Sequence, residues 1–100
     1  MQDDLKQQYW DKYLDLLLAC ENKDELNRLF NFLLTHDERE MLPKRLALTE
    51  ALLKKERPQR QIAQDLAMSI ALITRGSNEL KRTKPEDIIA IKNFLNIVDK

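Results

Sequence analysis

The sequence is short of the residues that break helices and of those that build reactive sites. Its 100 residues include one glycine, three prolines, one cysteine and one histidine. A single cysteine excludes an internal disulfide, and a single histidine leaves no ligand set with metal-binding spacing. No apolar run is long enough to span a bilayer, no useful stretch alternates as strands do, and the polar start MQDDLKQQYW is unlike a secretory signal. We expect an all-α cytoplasmic protein without metal, cofactor or membrane partner.

The same scarcity argues against an enzyme. Nucleophilic catalysis needs an activated side chain beside a base, and acid–base catalysis needs a positioned titratable pair. With one cysteine, one histidine and no carboxylate pair in an evident cleft, the sequence assembles neither. We therefore predict a binding protein rather than a catalyst.

Helix-forming residues dominate what remains, with 43% hydrophobic and 34% charged residues. This balance favours a globular helical chain, and 100 residues fit one domain. We expect residues 1–100 to form a single domain of six helices. The predicted helices cover about residues 3–21, a second segment capped by Asp24, about residues 36–54, a fourth opened by Pro58, about residues 70–82, and a sixth opened by Pro85.

Apolar residues recur at helical spacing in several of these segments. In the first helix they predict one face that ends at Cys20, which we interpret as a small buried hydrophobe. Thr35 and Glu38 have the spacing of a capping box, and Pro43 predicts a kink or loosened turn in the third helix. The buried side of that helix is predicted to contain Leu42, Leu46, Thr49, Leu52 and Leu53.

The most informative segment is QRQIAQDLAMSIALITRGSNELK, residues 59–81. Two short helical patterns are broken at Ala67, which predicts a helix-turn-helix over about residues 59–82. In such a unit the second helix enters the major groove, and here it is rich in hydroxyl, amide and cationic groups. Ala67 occupies a turn position that favours glycine, at a cost of about 1 kcal/mol if the left-handed conformation is kept. Similar helix pairs also occur in domains that never contact DNA.

Charge is divided unevenly although the chain is neutral overall. Residues 1–50 have 7 basic and 11 acidic side chains, whereas residues 51–100 have 10 and 6. The basic excess accompanies the predicted helix-turn-helix, which is the distribution expected when one end meets phosphates. A solvated basic face without a partner is the alternative.

A homodimer is expected from size and from apolar content. A 100-residue chain buries only part of its surface when it folds alone, and apolar residues are abundant in the first, second, third and sixth helices. Helix-turn-helix proteins commonly bind palindromes as dimers.

Two segments resemble the bacterial tryptophan repressors: LTHDERE at residues 34–40 and ITRGSNELK at residues 73–81. The resemblance covers roughly residues 26–95. It implies an interlocked helical homodimer that represses transcription from operator DNA when L-tryptophan binds as corepressor. The regulated operators would belong to tryptophan biosynthesis or transport.

The resemblance also implies a ligand site. The indole ring would lie between Arg45 and Arg75, since guanidinium groups stack on aromatic faces. Thr35 would reach the ligand carboxylate, and Gly76 would leave room for the ligand. The ammonium group would meet the main-chain carbonyls of Phe32 and Leu34.

Two implied pocket positions depart from the family pattern. Glu79 stands where a small hydroxyl residue is common, so its carboxylate either pairs with the ligand ammonium or faces solvent. Thr49 replaces a more apolar residue.

For DNA, the resemblance implies phosphate contacts near the fourth helix and groove contacts from the fifth. The backbone amides of Ile70 and Ala71 would face anions at a helix start. Ser69 differs from common family choices at the DNA surface. The implied DNA-binding set is Gln59, Arg60, Ser69, Ile70, Ala71, Thr74, Asn78 and Lys81.

Two alternatives stay open. In the first, the protein is a related regulator that responds to another amino acid, to an indole derivative or to no ligand. In the second, it is an interaction module that dimerises through its helices without binding DNA.

Overall fold

The computed structural model describes residues 1–98, which form six α-helices and no strand. The all-α prediction is therefore confirmed. None of the helices in this described part is both long and apolar enough to cross a membrane. The helices are α1 (Asp3–Ala19), α2 (Lys23–Leu33), α3 (His36–Lys54), α4 (Gln59–Leu66), α5 (Ile70–Arg82) and α6 (Pro85–Phe94).

The end of α1 corrects two expectations. The helix stops at Ala19, earlier than predicted, and Cys20 is its C-cap in an extended conformation. Cys20 is half-buried rather than buried, and its Sγ donates to the Leu16 carbonyl at 3.4 Å. Helical spacing placed the thiol on the apolar face, but that periodicity no longer applies once the backbone leaves the helix.

The start of α2 is set by Asn22 and not by Asp24, so the predicted cap is wrong. Asn22 Oδ1 accepts the Glu25 amide at 2.9 Å, and the Glu25 carboxylate accepts the Glu21 amide at 2.8 Å. Both Asn and Asp are good caps, and Asn22 prevails because Glu25 lies three residues after it and returns a second bond. Asp24 instead lies in the first turn, where its charge suits the helix dipole.

The start of α3 is the predicted capping box. The Thr35 amide donates to the Glu38 carboxylate at 2.9 Å, and the Glu38 amide donates to Thr35 Oγ1 at 3.2 Å. Hydrogen bonding to the Glu38 carboxylate from the Thr35 backbone, followed by the Thr35 side chain, lowers the pKa of Glu38 because it favours the charged form. The helix continues through Pro43 to Lys54, so the proline does not end it, and the kink itself stays a prediction.

The chain divides into two units, residues 1–39 and residues 40–100. Residues 1–39 are all described, and none of their side chains is fully buried in the single chain. Leu18 is 85% exposed and Phe32 is 88% exposed. This unit presents much apolar surface that it does not cover itself.

The second unit has its own core. Leu48 and Ala51 of α3 pack with Ile62 and Ala63 of α4 and with Ile73 of α5. Ile62 and Ile73 are the most completely buried, at 1% and 0% exposure. Leu52, Leu66, Met68 and Leu72 pack at the edge of this cluster. The core therefore holds the helix pair α4–α5 against the second half of α3.

The predicted buried face of α3 is partly wrong. Leu53 is buried, and Leu52 and Thr49 are half-buried, but Leu42 and Leu46 are 47% and 55% exposed. Leu48 and Ala51 are buried instead. Leucines occupy more than one face of α3, and periodicity alone does not say which face meets α4 and α5.

Candidate ligand and nucleic-acid site

A tight turn joins α4 to α5. Ala67 has φ 52° and ψ 46°, the left-handed conformation expected at this position. Its amide donates to the Gln64 carbonyl at 3.2 Å, and the Met68 amide donates to the Ala63 carbonyl at 2.9 Å. These two bonds are a Schellman motif, which satisfies carbonyls at the end of α4 and fixes the direction of the chain into α5.

The start of α5 is equally well defined. Ser69 is the N-cap, and its Oγ accepts the Leu72 amide at 3.1 Å. Buried Ile73 anchors the inner face of α5. Because Ser69 is used as a cap, its hydroxyl has a structural role whether or not it also approaches a ligand or DNA.

The opposite face of α5 is open to solvent. Ile70 is apolar yet 51% exposed, and the first amides of α5 have no partner within the helix. The predicted DNA-binding side chains are all exposed: Gln59, Arg60, Ser69, Ile70, Ala71, Thr74, Asn78 and Lys81. Lys81 and Arg82 lie in the last turn of α5. Exposed donors and cations along this helix are chemically suited to phosphates and base edges.

One ion pair beside α4 was missed by the sequence reasoning. Arg57 pairs with Asp65, and Gln61 Nε2 donates to the same carboxylate at 2.8 Å. Gln61, followed by Arg57, lowers the pKa of Asp65 by stabilising its charged form. The spacing of Gln61 and Asp65, four residues apart on a helix, could have indicated the hydrogen bond between them.

A cavity of about 410 Å³ lies between α3 and α5. It brings together five of the predicted ligand residues: Arg45, Thr49, Arg75, Gly76 and Glu79. Sequence reasoning did not assign its remaining walls, which are Met41, Lys44, Leu48, Met68, Leu72, Leu80 and Thr83. Apolar walls with a few charged and hydroxyl groups are usual for a small-molecule site.

Gly76 has a packing role as well as a place in the cavity wall. A Cβ added to it would lie 3.0 Å from Leu48 Cδ2 and 3.4 Å from Leu52 Cδ1. The glycine therefore permits close approach of α5 to α3. This packing against Leu48 is a role of Gly76 in the fold, and the predicted role in making room for a ligand is compatible with it.

Glu79 is the acidic residue in the cavity wall. Its carboxylate lies 3.5 Å from Arg82 Nη1, and the two side chains are 74% and 78% exposed. The main-chain carbonyl of Glu79 accepts the Thr83 hydroxyl at 2.8 Å. The carboxylate is thus held only by a solvent-exposed pair, which costs little to separate.

The other three predicted ligand residues belong to the first unit. Leu34 is the C-cap of α2 and donates its amide to the Phe30 carbonyl at 2.9 Å. Phe32 lies in the last turn of that helix with its side chain exposed. Thr35 caps α3, so this hydroxyl also has a local structural function. The implied ligand contacts of these residues stay predictions.

Comparison with known proteins gives a consistent result. The family model described as Trp repressor protein matches residues 8–95. A Trp operon repressor homolog from Vibrio vulnificus is 42% identical over 86 residues, which cover 86% of this chain and 84% of the relative. A homolog of the same name from Haemophilus influenzae is 35% identical over 91% of this chain and 90% of its own length. Both coverage and identity are high, and the chain belongs to the Trp repressor family.

Proposed function

We propose that the protein is a tryptophan-responsive DNA-binding repressor that acts as a homodimer on operators of tryptophan biosynthesis or transport. Family membership supports a regulator rather than an enzyme. The observation that carries the proposal is the α3–α5 cavity, which is lined by Arg45, Arg75 and Gly76. Helix α5 contributes both to this cavity and to the exposed polar face.

The cavity offers the chemistry that tryptophan requires. Arg45 and Arg75 are exposed cations on two different helices, suited to stack on an indole ring from opposite sides. Arg75 and Lys44 also provide positive charge for a carboxylate. We assign ligand contacts to Arg45, Thr49, Arg75, Gly76 and Glu79, which line this cavity. The contacts that the family resemblance implies for Phe32, Leu34 and Thr35 stay predictions.

We propose that the α4–α5 pair is a helix-turn-helix. Tryptophan repressors are among the proteins known to dock on DNA through this motif. Arg60 and Gln59 at the start of α4 would contact phosphate, and α5 would enter the major groove. The eight exposed residues named above form the proposed DNA surface. Ile70 supports this assignment because its large apolar side chain is 51% exposed at the start of α5, where it is suited to contact with bases.

A dimer supports both halves of the proposal. The apolar surface left open on residues 1–39 is large for a monomer, and a second copy would cover it. Two copies would also present two α5 helices about 34 Å apart, one turn of DNA. We propose that both units of each chain belong to one such dimeric domain.

The ligand would act by favouring one spacing of the reading helices. It binds between α3 and α5, so it stabilises only the arrangement in which both helices contact it. A coupling of about 1–3 kcal/mol would change operator affinity by about 5–150-fold.

The decisive experiment is an operator gel shift with and without L-tryptophan, paired with calorimetry of the ligand. Arg75→Ala should abolish both ligand binding and the ligand-dependent shift. Lys81→Ala should weaken DNA binding, reduce its salt dependence and leave ligand affinity unchanged. Absence of tryptophan binding at millimolar concentration would rule out the corepressor function.

A related regulator with another ligand is the second candidate, favoured by Glu79 and Thr49 in the cavity wall. A thermal-shift screen of amino acids and indole derivatives separates the two, because a specific ligand raises the melting temperature.

A further inference from the structure

The cavity wall contains more cationic than anionic side chains. Lys44, Arg45 and Arg75 are cationic, whereas Glu79 is the one carboxylate among the residues that line it. Without Glu79, the wall would favour any planar aromatic anion, whether or not the anion had an amino group. A single carboxylate in such a wall penalises a second anion and rewards a cation.

Glu79 is free to respond to a ligand. Its carboxylate lies 3.5 Å from Arg82 Nη1 on the same helix, and this solvent-exposed ion pair contributes little to stability. The backbone at Glu79 is fixed by α5 and by the Thr83 hydroxyl bond to its carbonyl. The carboxylate can therefore turn from Arg82 toward a bound ammonium group while its Cα position is kept.

We propose that Glu79 is a specificity-determining residue that selects zwitterionic aromatic α-amino acids over aromatic carboxylates that lack the amino group. The inference rests on the proposed ligand site. Its cations attract the ligand carboxylate, and Glu79 supplies the complementary charge for the ammonium group. An aromatic acid without that group gives the Glu79 carboxylate no ammonium partner and therefore binds more weakly.

Calorimetry with two probes tests the assignment: L-tryptophan, and indole-3-propionate, which has the same ring and carboxylate without the amino group. Glu79→Gln should weaken tryptophan binding about threefold and strengthen indole-3-propionate binding about threefold, a modest effect because the site is exposed. The ratio of the two Kd values should then change about tenfold. Glu79→Lys should move it further in the same direction.

The matched control is Glu86→Gln, which removes the same charge from an exposed position in the first turn of α6, outside the cavity wall. It should leave the ratio of Kd values unchanged. If the wild type binds both probes and Glu79→Gln leaves their ratio unaltered, the specificity assignment is overturned while the ligand site stands. If the wild type binds neither probe, the proposed corepressor function itself fails.

Discussion

The two units of the chain differ in what stabilises them. Residues 40–98 enclose a core in which Ile62 and Ile73 are almost inaccessible to water, whereas residues 1–39 have no fully buried side chain in the single chain. The start of α2 in the first unit is instead defined by local bonds, such as the one from the Glu25 amide to the Asn22 cap. The candidate DNA surface is therefore built on packing within one chain, whereas the apolar residues of the first unit need a further surface to cover them.

The largest effect should come from the core of the second unit. Ile73→Ala should lower the free energy of unfolding by about 2–5 kcal/mol, because it leaves a cavity where the side chain is fully buried. Urea denaturation measures the change. Ile70→Ala, the same substitution at a 51% exposed position in the same helix, is the control and should change stability by about 0.5 kcal/mol or less.

The next effect concerns the first unit and the proposed dimer. Leu16 is 49% exposed in the single chain. We expect the proposed dimer to bury it. Leu16→Glu should destabilise the dimer by about 1–3 kcal/mol per chain, shift sedimentation toward the monomer and make the melting temperature depend more steeply on protein concentration.

Gln8→Glu adds the same charge to an exposed polar position of α1 and serves as the control. If wild type and Leu16→Glu both sediment as monomers, the proposed dimer is contradicted, and no second copy covers the apolar surface of the first unit.

A smaller effect is expected at the turn between α4 and α5. Ala67→Gly should stabilise the protein by about 0.5–1 kcal/mol, because glycine adopts the positive φ of 52° without steric cost. Ala90→Gly, an exposed position within α6, should instead destabilise by about 1 kcal/mol. Thermal melts of both variants test whether the turn is strained; destabilisation by Ala67→Gly would show that it is not.

The smallest effect should be the pH dependence of the two lowered carboxyl pKa values. Glu38 and Asp65 are each stabilised in the charged form when folded, so their contributions are present above their unfolded pKa values. These contributions are lost as the pH falls through the lower folded values, in the acid range. Glu38→Gln and Asp65→Asn should each flatten the acid limb of a stability-against-pH curve, and an unchanged limb would contradict the assigned hydrogen bonds.

Local signals in the sequence predicted much of the fold and less of the packing. The bounds of α3 and α5 follow from a capping box, a turn and helical spacing, all of which act within a few residues. The buried face of α3 did not follow, because Leu46 and Leu48 are equally apolar and only contact with α4 and α5 distinguishes them. Cys20 was misjudged because α1 ends at Ala19, about two residues earlier than predicted, so Cys20 is no longer part of the helical apolar face.

The candidate site divides in the same way. Arg75 and Gly76 lie in a short, specific segment that resembles a known family, and Arg45 was assigned through the same resemblance. The structure brings the three residues to one cavity. Met41, Met68 and Leu80 carry no signal of their own in the sequence, since apolar residues at helical spacing serve equally as core. Their place in the cavity wall depends on how α3 and α5 cross.

The chain contains a single glycine, and it lies in the middle of a helix rather than in the left-handed turn. Alanine at position 76 would be the better helix former by about 1 kcal/mol, yet its methyl group would press on Leu48 at 3.0 Å. Substitution there would force Leu48 or α5 to move, and both line the neighbouring cavity. Variants at this one position would consequently change the width of the cavity more readily than they would increase stability.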